Sequence, residues 1–110
     1  MTKFMFIYQS PPMPADAPEW TQEQMEAELG RWMAWAGRVG EGMVDFGAPL
    51  AADAAVTADG VTDSQSQISG YTILEAADLD AAKALADGHP HLAMPGASIE
   101  ILQVQPVPGA

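Results

Sequence analysis

A chain of 110 residues suits one domain with one core, since domains cluster near ~100–150 residues, and a hydrophobic content of 48% excludes a disordered chain. Fifteen acidic residues stand against four basic ones, a formal net charge of −11. Only Lys3, Arg31, Arg38 and Lys83 are available to neutralise phosphates, so nucleic acid is excluded as a direct ligand and an anionic membrane surface is disfavoured. The acidity itself reads as solubility.

The opening Met1–Thr2–Lys3 runs straight into Phe4–Tyr8, too short for an apolar export segment. No apolar run approaches the ~20 residues of a membrane span, and a cytoplasmic location is expected. Cysteine is absent, which removes disulfides, thiolate zinc sites and cysteine nucleophiles together.

Lys3–Gln9 is a short apolar and aromatic run that predicts a strand, ended by the proline-rich loop Ser10–Pro18. Thr21 opens a helix: Gln24 completes a capping box, and Trp20 and Met25 stand at the positions of a hydrophobic staple. Met25, Leu29, Trp32, Ala36 and Val39 form its apolar stripe, with Trp35 on the flank. The helix ends at Gly40 and Gly42. Met43–Phe46 predicts a second strand, and Leu50–Ser66 a long hairpin arm or loop. Gln67–Glu75 predicts the third strand. Asp78 caps a short helix over Leu79–Asp87, stopped by Gly88 and by His89–Pro90–His91. Ser98–Val107 predicts the last strand.

The order is β-α-β-β-α-β, the split βαβ arrangement of a ferredoxin-like α+β sandwich. Two helices cover one face of a four-stranded sheet. The first strand, however, is apolar on both sides, with Met5 and Ile7 pointing one way and Phe4, Phe6 and Tyr8 the other. A second copy packed sheet to sheet buries the uncovered face, so a homodimer is expected. Phe4 and Phe6 are assigned to that dimer-side face.

Three segments carry a resemblance: Ser69–Gly70–Tyr71–Thr72–Ile73–Leu74–Glu75–Ala76; Leu79–Asp80–Ala81–Ala82; and His89–Pro90–His91–Leu92 followed by Gly96–Ala97–Ser98–Ile99–Glu100–Ile101. In this order and spacing the chain resembles the YCII-related (DGPF-type) family. The resemblance implies a ferredoxin-like domain whose sheets pair into a dimeric α/β barrel. The family's name-giving motif reads Asp59–Gly60–Val61–Thr62 here. The His–Asp pair of better-studied members is not carried over, because no histidine stands near Gly30–Arg31–Trp32 and His89 occupies the aspartate's place.

His89 and His91 are the only histidines, so acid–base work near neutral pH falls to them. His91 is the expected general base or acid. Asp45, flanked by Val44 and Phe46 in a strand, is its expected partner if those neighbours face the helices. The bland alternative makes His89 an imidazolium capping the helix C-terminus and His91 a hydrogen-bonding residue of the turn. Tyr8, Trp32, Trp35 and His89 are candidate binding residues: Trp35 as pocket wall, Trp32 more as core than as ligand platform. A metal would need a third ligand that nothing in the sequence positions, so no metal and no cofactor is expected. Three functions stay open: a binding protein with an apolar small-molecule pocket, a cofactor-independent enzyme using His91 and Asp45, and a structural or regulatory partner of another protein.

Overall fold

A computed structural model describes residues 1–109. Four strands form one antiparallel sheet in the order β2-β5-β1-β6: β1 (Thr2–Gln9), β2 (Met43–Asp45), β5 (Ile68–Ala76) and β6 (Ser98–Gln103). The helices α1 (Gln22–Val39) and α2 (Leu79–Ala86) supply the second layer. This is a small α+β architecture consistent with a ferredoxin-like fold. Between β2 and β5 the expected arm is a separate hairpin, β3 (Ala54–Thr57) against β4 (Gly60–Asp63). Its tip residues Val56 and Val61 face each other and are exposed.

Local chemistry fixes the helix starts. Thr21 Oγ1 accepts from the Gln24 amide at 3.1 Å, while Gln24 Oε1 accepts from the Thr21 amide at 2.8 Å. The Asp78 side chain accepts from the Ala81 amide at 2.9 Å and opens α2. The last strand stops at Gln103, short of the expected Val107. Pro106 has no N–H to give a ladder, and residues 104–107 are exposed.

Alternation along β1 decides the core. Phe4, Phe6 and Tyr8 are buried under the helices with Leu74 and Ala76 of β5, whereas Met5 and Ile7 lie half-buried on the other face. This corrects the assignment of Phe4 and Phe6 to the open face. Phe6 packs against Trp35, with ring centroids 6.1 Å apart. The apolar stripe on α1 is corrected as well. Trp35 is the buried residue of α1 and its indole donates to the Leu85 carbonyl at 2.7 Å, tying α1 to α2. Met25 and Leu29, at the other end of the stripe, are exposed.

Candidate functional site

The site lies where the ladder between β1 and β5 breaks. Tyr8 pairs with Gly70 but Gln9 pairs with Ile68, so Ser69 is an extra residue at the end of the ladder. There α1 and the segment 46–49 stand apart and enclose an open-sided cavity of about 380 Å³. Tyr8, Trp32 and Phe46 supply aromatic walls, Glu28, His91, Ser69 and Tyr71 polar groups, and Trp20, Met25 and Leu29 an exposed apolar mouth.

The wall at 46–49 is held against β5 by a close backbone approach. Gly47 has φ 86°, and a Cβ there would stand 1.7 Å from the Tyr71 carbonyl oxygen. Asp45 fastens the same turn: its Oδ1 accepts from the Gly47 amide at 2.9 Å, and its Oδ2 accepts from the Tyr71 hydroxyl at 3.4 Å. Asp45 sits opposite Ile73 on the open face of the sheet, but not because Val44 points to the helices. A bulge between Met43 and Asp45 leaves Val44 47% exposed and turns Met43 toward the core. Asp45 does not line the cavity.

Behind the wall runs a directed chain of hydrogen bonds. The His91 amide can only donate, and it donates to His89 Nδ1 at 3.0 Å, so that nitrogen carries no proton. The Thr72 hydroxyl donates to the Phe46 carbonyl at 2.8 Å. The Tyr8 hydroxyl must then donate to Thr72 Oγ1, 2.7 Å away, and His89 Nε2–H donates to the Tyr8 oxygen at 3.1 Å. His89 is 2% exposed, among the rings of Trp35, Trp32 and Tyr8 at centroid distances of 4.2, 4.7 and 5.0 Å. Burial above all, then the neighbouring His91 and Arg38, pushes its pKa down to about 4. Burial likewise pushes the Tyr8 phenol up to about 12, against a smaller opposing effect of its bond to Thr72.

The expected imidazolium cap is therefore corrected. His89 is neutral and caps the single turn of 3-10 helix Pro90–Ala93, because its Nδ1 is committed to the His91 amide. The C-terminal carbonyls of α2 are served instead by Arg38 of α1, which donates to Asp87 and Ala84 at 3.1 and 3.2 Å. In the unfolded chain His89 titrates near 6.5, in the folded chain near 4. Between those values the unfolded state binds the extra proton, so stability is full above pH 6.5 and falls as pH drops toward 4. The loss is about 3 kcal/mol by pH 4 and at most about 3.5 kcal/mol, one pKa unit being roughly 1.4 kcal/mol. Denaturation midpoints measured from pH 7 to 4 should show this slope, and His89→Gln should flatten it.

His91 is 6% exposed and lines the cavity, its ring 5.1 Å from that of Tyr8. Its Nε2 lies 2.9 Å from the Gln9 carbonyl, which can only accept, so Nε2 carries a proton, and in the neutral ring Nδ1 is the acceptor. Trp32 packs against the core as expected and also walls the cavity, whereas Trp35, expected as pocket wall, is core. Glu28 joins the site unexpectedly. This carboxylate lines the cavity and is oriented by the Trp32 indole, which donates to Oε1 at 2.9 Å, and by Arg31 on Oε2. The signal was present as spacing, since residues four and three apart on a helix touch. Among the described residues no group of three or more His, Asp or Glu side chains is placed to hold a metal ion, and no helix is long and apolar enough to cross a membrane.

No family model matches the chain, and no curated protein matches it. Among solved structures it is similar to the 5-chloro-2-hydroxyhydroquinone dehydrochlorinase TftG from Burkholderia phenoliruptrix, in complex with 2,5-dihydroxybenzoquinone. The TM-score is 0.53 at 14% identity, over 94% of this chain and 93% of that one. The likeness is one of fold.

Proposed function

We propose that this chain is a YCII-related, dimeric protein that binds a small, ring-sized molecule in the cavity between α1 and the 46–49 wall. The observation that carries the reading is the cavity itself: about 380 Å³, walled by Tyr8, Trp32 and Phe46, with the ionisable side chains Glu28 and His91 also in its lining. Ligand sites are built in this way, with apolar walls and a few converging polar groups. A ligand-binding enzyme of the same fold is compatible with it. The test is a titration of wild type and Ala48→Trp with uncharged one- and two-ring aromatic compounds, read by calorimetry. Saturable binding that the tryptophan abolishes supports the reading. Binding unaffected by a filled cavity, or no binding at all, overturns it.

A catalytic role has its own support in His91. With Nε2–H held by the Gln9 carbonyl, its Nδ1 is the nitrogen able to take a proton from a bound molecule, as a general base requires. Asp45 then acts as a positioning residue, through the Gly47 amide and the cavity wall.

Self-association is part of the same proposal. Met5 pairs with Ile73 on one side and Leu102 on the other, with Ile7 beside them, which makes an apolar row on the sheet face that carries no helix. A partner copy covering this row is the simplest burial for it. Sedimentation at micromolar concentration should give twice the mass of the 11.6 kDa chain, and Ile73→Asp should return it to a folded monomer. A wild-type monomer of normal stability overturns this part.

A further inference from the structure

Resting on the small-molecule reading, the geometry points to a ligand class: ring compounds that present hydrogen-bond donors, such as phenols and arylamines, with isosteric organic acids turned away. The cavity wall has few side-chain donors left to offer. The Trp32 indole N–H is spent on Glu28, and the Tyr71 hydroxyl on Asp45. The Ser69 hydroxyl donates to the Tyr8 carbonyl at 3.3 Å, and the Tyr8 hydroxyl donates to Thr72. His91 Nε2–H is spent on the Gln9 carbonyl, and the Gly47 amide on Asp45. Apart from the exposed indole of Trp20 at the mouth, the side-chain donors of the lining are all committed within the protein.

Beside the hydroxyl oxygens of Ser69 and Tyr71, two acceptors remain that carry no donor of their own to offer. Glu28 is a carboxylate with lone pairs beyond those used by Trp32 and Arg31. His91 Nδ1 has no protein partner, no side-chain nitrogen or oxygen among the described residues is both buried and unpartnered, and His91 lines the cavity, which makes the cavity the side from which a ligand meets Nδ1 in this proposal. A donor on the ligand satisfies either group. A ligand carboxylate satisfies neither and meets a like charge at Glu28, with no Lys or Arg in the lining and the Arg31 guanidinium already on Glu28. A ring that lacks a donor keeps the apolar contacts and leaves both acceptors unpaired.

Three compounds of one shape separate these terms: 2-naphthol, 2-methoxynaphthalene and 2-naphthoate, titrated calorimetrically into wild type, Glu28→Gln, His91→Phe and the cavity-filling Ala48→Trp. The expected result is that 2-naphthol binds about tenfold or more tighter than the other two, the span of one hydrogen bond to a charged group. Glu28→Gln or His91→Phe should collapse that preference, and Glu28→Gln should improve binding of 2-naphthoate. Equal binding of all three, abolished by Ala48→Trp, overturns the donor rule while leaving the small-molecule reading intact. Tightest binding by 2-naphthoate, or a preference for 2-naphthol that both acceptor variants retain, also overturns it. No binding by any of the three removes both readings together.

Discussion

Phe6→Asp should unfold the domain outright instead of splitting a dimer. Phe6 is fully buried between the sheet and α1, against Trp35. Losing a buried aromatic ring costs about 3–5 kcal/mol, and the new carboxylate would sit without a partner in an apolar core. Together these approach the roughly 5–15 kcal/mol that holds a domain folded. Circular dichroism should show the loss of secondary structure. Ile73→Asp places the same charge on the open face and should keep the fold. A folded, monomeric Phe6→Asp protein would mean that β1 is turned over.

Tyr8→Phe should destabilise the protein by about 2–4 kcal/mol, each buried polar group left without its partner costing roughly 1–3 kcal/mol. The ring stays, so packing against Trp32 is retained and the cost isolates the hydroxyl. Two neighbours are stranded: His89 Nε2–H loses its acceptor, and Thr72 Oγ1 loses the bond donated to it. Denaturant titration measures the difference. A change below about 0.5 kcal/mol, the size of an ordinary surface substitution, would show that the chain from His89 to the Phe46 carbonyl is not formed.

The parts of the fold that local chemistry writes were legible in the sequence. The capping box at Thr21–Gln24, the cap at Asp78 and the alternation of β1 each act over a few residues, and element order then leaves few topologies. Which face of β1 meets the helices was not legible, because both faces are apolar and alternation alone has no sign. The same ambiguity hid the cavity. Met25, Leu29 and Trp32 look alike on a helical wheel whether they face a core or a ligand, and only the packing of Trp35 on Leu85 settles the rotation of α1. Glu28 went unseen because a carboxylate next to an apolar stripe is usually a solvated flank. Its role depends on the wall of residues 46–49 across from it. The neutral state of His89 follows from its burial among Trp35, Trp32 and Tyr8, side chains distant in sequence, a relation that no local pattern encodes.

The central claim is that the cavity between α1 and residues 46–49 is a binding site, and nuclear magnetic resonance tests it most directly. With ¹⁵N-labelled protein titrated with 2-naphthol, the Trp32 indole N–H and the amides of Gly47, Ala48 and His91 should shift together and saturate, while Val56 and Val61 at the hairpin tip stay still. Ala48→Trp should abolish the response. Shifts confined to the open sheet face around Met5 and Ile73, or no saturable shift at all, would contradict the account.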